Sequence, residues 1–278
     1  MKVAVIGAGT MGLGIAQVSA QFGFETLLFD VNETALAKAK DTVLASWAKL
    51  QEKGKLTADQ IEKATANFST TSEFALLKAD FIIEAIVEKL EVKQKLFQDL
   101  EAQNSETAVF ASNTSSLSIT KIASALTHKN RFIGLHFFNP ATLMQLVEVI
   151  AGAESGSEAL QKAAEFAKAC NKTTVQCADS PGFIVNRVAR PFYTEALLIA
   201  EERIADISEI DDLMEATGFK LGPFRLMDLI GNDINFAVTN SLFDAFYYPA
   251  RFRPSRMQGQ KVDAKHLGKK TGRGFYQY

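Results

Sequence analysis

Lys2-Val-Ala-Val-Ile-Gly7-Ala-Gly9-Thr-Met-Gly12 decides how this chain is read. Lys2 to Ile6 is a short apolar run ending in glycine, the pattern of a buried strand entering a turn. Gly12 to Phe22 then takes helical spacing. The three glycines do different work. Gly7 makes the tight turn, Gly9 lets backbone approach a pyrophosphate, and Gly12 lets helix and strand pack closely. Thr10 and Met11 open the helix, where free N–H groups and the helix dipole favour an anion. Glu25 to Asp30 reads as a second strand. Asp30 ends it, at about the 20-residue spacing where a carboxylate accepts from ribose hydroxyls. An acid there repels a 2′-phosphate, and no arginine follows it. The cofactor expected is NAD, not NADP. Flavoproteins share the fingerprint, so the glycines alone identify only a dinucleotide.

Outward from this turn, strand and helix patterns alternate. Asn32 caps a long stretch reaching about Lys53, Gly54 breaks it, and Thr57 to Ala66 resumes helical spacing. Residues 32–66 therefore read as a helical hairpin standing off the sheet. Phe81 to Val87 is a continuous apolar run, as in a buried parallel strand. Leu90 to Gln103 is helical, and Thr107 to Ala111, Arg131 to His136 and Gln145 to Ile150 read as further strands. Such alternation implies a doubly wound α/β sheet with right-handed crossovers. After Ser180-Pro181-Gly182 the texture changes to long helical periodicities: Val185 to Glu202, Ile207 to Thr217 and Gly222 to Phe246. The expectation is a Rossmann-type domain over residues 1–182 and an all-α domain over 183–278.

Composition excludes some partners. The 278 residues carry 30 basic and 32 acidic side chains, a net charge of -2, which leaves no electrostatic footprint for nucleic acid or an anionic membrane. No apolar run approaches the roughly 20 residues of a membrane span. The N-terminus runs directly into a strand, so no signal peptide is expected, and the location expected is cytoplasmic. Cys170 and Cys177 lack neighbouring histidines and match no metal-ligand spacing, so no metal is expected.

Chemistry must come from other residues. His128 and His266 lie in polar surroundings and read as surface groups. His136 ends an apolar strand in Gly134-Leu-His-Phe-Phe-Asn-Pro140, where proline stops the strand and aims the imidazole at the crevice beyond it. Glu148 sits inside the apolar strand Gln145-Leu-Val-Glu-Val-Ile150, costly to bury without a partner. If the two strands are neighbours, Glu148 accepts the imidazole N–H and fixes its tautomer, leaving the other nitrogen to take a hydroxyl proton. A purely structural pair is the other reading. The loop Ala111-Ser-Asn-Thr-Ser-Ser-Leu117 offers hydroxyls and an amide at the crevice. Glu84 and Glu88, at the end of a buried strand, read as solvated acids at a helix start.

Together these strings resemble the 3-hydroxyacyl-CoA dehydrogenases. The likeness also runs through Glu84-Ala-Ile-Val-Glu88, Asp179-Ser-Pro-Gly-Phe-Ile-Val-Asn-Arg187 and Gly268-Lys-Lys-Thr-Gly-Arg-Gly-Phe-Tyr276. The resemblance implies that His136 and Glu148 form the catalytic dyad. It implies that Ser115 bonds the 3-hydroxyl or 3-keto oxygen and that Asn186 holds the reacting group. Asn113 and Glu88 would line the nicotinamide side, and Asn139 would brace the dyad. Ser46 and Lys53 look similar to coenzyme A contacts. The substrate implied is a 3-hydroxybutyryl thioester or similar short chain, and the assembly a homodimer through the helical domain. Gly222-Pro-Phe-Arg-Leu-Met-Asp228 through Arg253-Pro-Ser255 looks like the branch that handles 3-hydroxyadipyl-CoA in phenylacetate catabolism, with Arg225 available to a distal carboxylate. A lens crystallin resembles the same family and is structural, so a silent NAD-binding protein is a further alternative.

Overall fold

Apolar strands alternating with amphipathic helices assemble into one eight-stranded sheet. The computed structural model describes residues Met1–Tyr278, and the chain divides into two units, Met1–Asp179 and Ser180–Tyr278. In the first, strands β1 (Lys2–Ile6), β2 (Glu25–Phe29), β3 (Phe68–Thr71), β4 (Phe81–Glu84), β5 (Val109–Ser112), β6 (Phe132–Phe137), β7 (Leu146–Ala151) and β8 (Thr173–Ala178) lie in the order β3-β2-β1-β4-β5-β6-β7-β8. The chain winds outward from β1 to β3, then returns to β4 on the other side. That reversal opens a crevice beyond the carboxyl ends of β1 and β4, where such sheets bind ligands. All neighbours are parallel except β6 and β7.

Helices α1 (Thr10–Gln21), α2 (Glu33–Glu52), α3 (Ala58–Ala66), α4 (Leu90–Gln103), α5 (Ile119–Ala123) and α6 (Ser157–Ala169) cover the sheet. The hairpin α2–α3 does not stand off it. Leu36, Ala39, Val43 and Trp47 form a buried stripe at helical spacing. Trp47 meets Phe68 of β3 edge-on at 6.1 Å, so the stripe seals α2 onto the core. Asn32 caps α2 by accepting from the Ala35 N–H at 3.1 Å. The sequence reading misses β3 and β8. Both are edge strands: β3 has only four residues, and Thr-Thr-Val-Gln-Cys-Ala of β8 has no buried face.

The second unit is helical: α7 (Val185–Glu201), α8 (Ile207–Ala216), α9 (Pro223–Ile230), α10 (Asn232–Ala245) and α11 (Arg256–Asp263). The single helix expected over 222–246 is two helices. Gly231 adopts φ 106°, a left-handed backbone that stops α9 and starts α10. Tyr193, Leu197, Ile210, Phe224 and Met227 form the core. Two buried aspartates tie it together. Asp211 accepts from the Phe224 and Arg225 N–H groups and the Tyr276 hydroxyl at 2.8, 3.0 and 2.7 Å, which caps α9. Asp228 accepts from Asn232, from the Phe275 and Tyr276 N–H groups and from the Tyr278 hydroxyl. The glycine-rich tail is thus a strap fastened chiefly to Asp228, with the Tyr276 hydroxyl reaching Asp211 as well. A Cβ on Gly274 would strike the Asp228 carboxylate, which accounts for the glycine.

Candidate active site

Gly7 passes directly under β4. Its φ is 104°, and a Cβ there would lie 2.6 Å from the Ala85 carbonyl oxygen. A Cβ on Gly12 would collide with the Gly7 carbonyl, so helix and turn can pack only without side chains. At Gly9 nothing lies within 4 Å of the built Cβ position, which leaves the backbone open to a ligand. Gly9 also caps α1 with no side-chain bond, and the first turn holds no acid. The opening amides of α1, including those of Thr10 and Met11, are thus free for an anion. Asp30 braces the turn, accepting from the Ala8 N–H at 2.7 Å and the Asn32 N–H at 3.0 Å. An open glycine, uncapped amides and a carboxylate beside them suit a dinucleotide.

The strand register brings the remaining groups together. His136 lies directly opposite Glu148 across β6 and β7. The imidazole Nδ1 and Glu148 Oε2 are 2.7 Å apart, with His136 6% and Glu148 1% exposed. The Phe138 ring lies 4.5 Å from the imidazole. β5 pairs Ser112 with Gly134, so the loop after β5 begins beside His136. Asn113 locks that alignment: its Oδ1 accepts from the Phe137 N–H at 2.8 Å, and its own N–H donates to the Glu84 carbonyl at 2.8 Å.

Beneath this loop lies a charge network the sequence does not announce. Glu84 is fully buried, not solvated. It accepts from Lys93 at 2.6 Å, the Ile86 N–H at 2.7 Å and the Ser112 hydroxyl at 2.6 Å. Lys93, itself 1% exposed, reaches Glu88 at 2.9 Å. Glu88 in turn accepts from Thr114, from the Ser116 hydroxyl at 3.0 Å and from the Ser115 N–H at 3.3 Å. Burial pulls the Glu88 carboxyl up, but Lys93, Thr114 and Ser116 outweigh it and hold the group below its ordinary value. Glu84 reads as an exposed acid because its partner waits on the next helix. The signal that could have found it is a lysine at i+9, on the first turns of α4.

A cavity of about 500 Å³ opens beside the glycine turn, lined by Gly9, Gln17, Lys38, Thr42, Asn139 and Thr142 among others. Asn139 is in its wall; Ser46 and Lys53 are not. Ser46 accepts from Gln17 at 2.9 Å and ties α2 to α1, while Lys53 is the exposed C-cap of α2. Lys38 and Thr42, earlier on the same face of α2, are the residues that line the cavity instead. Asn186 occupies the first turn of α7.

The model of the 3-hydroxyacyl-CoA dehydrogenase NAD binding domain matches residues 2–180, and that of the C-terminal domain matches residues 182–278. The chain belongs to the 3-hydroxyacyl-CoA dehydrogenase family. The cofactor of this dehydrogenase is NAD, and the glycine turn fits it. The chain is 45% identical over 278 residues to the 3-hydroxyadipyl-CoA dehydrogenase of Escherichia coli, covering 99% of this chain but 58% of that one. It is 40% identical to the mitochondrial hydroxyacyl-coenzyme A dehydrogenase of Rattus norvegicus, covering 99% and 90%. The solved 3-hydroxybutyryl-CoA dehydrogenase PaaH1 from Ralstonia eutropha superposes with a TM-score of 0.96 at 37% identity, covering 100% and 98%. Within this dehydrogenase Arg225 is already engaged, 2.8 Å from Asp212 and 3.0 Å from Glu215. Its guanidinium is not waiting for a substrate carboxylate. No helix is long and apolar enough to cross a membrane.

Proposed function

We propose that His136 and Glu148 carry out the NAD-dependent oxidation of a short (3S)-3-hydroxyacyl-CoA to its 3-oxoacyl product. The observation that carries this reading is the 2.7 Å contact between the two buried side chains. Glu148 holds Nδ1 and orients the ring, so Nε2 is the nitrogen that takes the hydroxyl proton. Glu148 also stabilises the imidazolium that results. NAD, when bound, accepts the hydride from the carbon bearing the hydroxyl. The amides of α1 would hold its pyrophosphate and Asp30 its adenosine ribose. Asn113 and Glu88 would face the nicotinamide side, and Ser115 the reacting oxygen. Asn186 is the amide that the family resemblance assigns to the reacting group, and Asn139 braces the wall beside the dyad. Lys38 and Thr42 are better placed than Lys53 to line the path of a coenzyme, with Ser46 holding α2 in position.

Two copies are proposed to associate through the helical unit. Val188, Ile204, Leu213 and Ile234 are apolar and more than half exposed in the single chain, an arrangement that a partner would cover. A cytoplasmic setting suits the free thiols of Cys170 and Cys177.

The test follows reduced-nicotinamide absorbance with acetoacetyl-CoA and NADH. Rapid NADH loss is expected, falling about 10²–10⁴-fold in His136→Ala with NADH binding retained. Binding of NADH without turnover would instead support a silent, crystallin-like protein.

A further inference from the structure

Lys172 is a buried lysine that grips a turn of the sheet unit. It stands between α6 and β8, where its own N–H donates to the Ala167 carbonyl at 3.0 Å and closes the end of α6. Asn171 before it takes φ 56°, a left-handed backbone that redirects the chain there. The Lys172 ammonium donates to the Ala141 carbonyl at 2.6 Å and to the Met144 carbonyl at 2.9 Å. The Thr173 N–H adds a bond to the Gln145 carbonyl at 2.8 Å. Two adjacent residues thus hold three carbonyls of one connection. Burial pulls the ammonium below its ordinary value, with Cys170 opposing. Enclosing such a group is costly unless it is hydrogen-bonded, and the two carbonyls meet that condition.

The connection held in this way, residues 138–145, leaves β6 after His136 and enters β7 before Glu148. Its turn is rigid within itself, because the Leu143 and Met144 N–H groups both donate to the Pro140 carbonyl, at 3.0 and 2.9 Å. Its tip has little packing: Leu143 is 73% and Met144 41% exposed. Ala141 is the seated end. Lys172 takes its carbonyl, and on the α1 side a Cβ built on Gly14 would lie 3.2 Å from the Ala141 Cβ. Asn139 to Thr142 line the same cavity as Gly9 and Thr10. Where the turn sits against α1 therefore decides how much room that cavity offers beside the glycine turn.

We propose that Lys172 is a positioning residue for the cofactor: by seating the turn of residues 139–144 against α1 it sets the shape of the cavity beside the glycine turn, and with it the affinity for NAD. In the proposed function the amides of α1 hold the NAD pyrophosphate, and the role of Lys172 rests on that placement. Lys172 acts only through the turn. The register of His136 against Glu148 is held by the β6–β7 ladder, so the chemistry should survive where cofactor affinity falls.

The experiment measures NADH affinity by nicotinamide fluorescence, beside kcat and the KM for acetoacetyl-CoA. Lys172→Met keeps an unbranched stem and removes the donors. NADH affinity should fall about 10-fold, the scale of one hydrogen bond to a charged group, with kcat at saturation little changed. Lys172→Gln, which keeps a neutral donor, should fall between Lys172→Met and the parent. Gly14→Ala presses on the turn from the α1 side while favouring the helix, so NADH affinity should fall there too with no loss of stability. A lower kcat with parent NADH affinity in Lys172→Met makes the lysine structural and overturns the assignment. Parent affinity in both Lys172→Gln and Gly14→Ala overturns it even where Lys172→Met does not fold. A change confined to the KM for acetoacetyl-CoA gives the cavity wall to the thioester and overturns it as well. A parent protein that binds no NADH overturns the placement of the cofactor itself, and this assignment with it.

Discussion

The two units bury carboxylates in opposite ways. In the sheet unit, Glu84 and Glu148 each lie against a group that can carry positive charge: Lys93 at 2.6 Å and His136 at 2.7 Å. In the helical unit, Asp211 and Asp228 accept almost entirely from neutral N–H and O–H donors, and the nearest cation to Asp211, Arg225, stands 3.9 Å off. Neutral donors fix geometry and nothing else. A titratable partner adds a response, because the pair can pass or hold a proton. The same residue type is thus a fastener in one unit and part of a reactive constellation in the other.

Isosteric amides separate these roles. Glu148→Gln should lower kcat by about 10²–10⁴-fold, with little change in the denaturation midpoint or NADH affinity. Equal losses in turnover and cofactor affinity would make Glu148 a fastener as well and erase the contrast. Next in size is Lys93→Met. Removing one partner of a buried pair should cost about 3–5 kcal/mol in denaturant unfolding, and Glu84→Gln in the same chain should recover part of it. A loss under about 1 kcal/mol would mean the network is dispensable, since that is the scale of a surface pair.

The same variant has a pH signature. Glu88 is held below its ordinary value in the folded protein, so its contribution is complete above the unfolded value, about 4.3. That contribution is lost as pH falls through the lower folded value. Without Lys93, burial is opposed only by hydroxyls and one N–H, and acid destabilisation should begin at higher pH than in the parent. An unchanged acid limb, read from unfolding midpoints across the acid range, would remove Lys93 from the account. Asp228→Asn comes next: about 1–3 kcal/mol of stability lost, with kcat/KM intact well below the melting temperature. The smallest effect expected is Ser112→Ala, at about 1 kcal/mol, since Glu84 keeps its lysine.

What the sequence discloses follows the same division. The glycine turn, Asp30 and the His136–Glu148 pairing are legible because each depends on local pattern: a strand, a turn, a polar residue in an apolar run. Glu84 is misread because its neutralising cation, Lys93, is one of several charged residues on the next helix and nothing marks it out from the others. β8 escapes because an exposed edge strand shows no alternation. Gly231 hides inside an apolar periodicity that continues across the break between α9 and α10. The hairpin is legible as helices but not in its placement, which depends on Trp47 finding Phe68.

The strap on Asp228 has a consequence for synthesis. The residues that fasten it, Phe275 to Tyr278, emerge from the ribosome after all five helices of their unit. The sheet unit can close as soon as β8 appears, while translation continues. The helical unit must wait with Asp228 held only by Asn232. A ribosome stalled a few codons short of Phe275 should hold a folded sheet unit attached to an unfinished helical one.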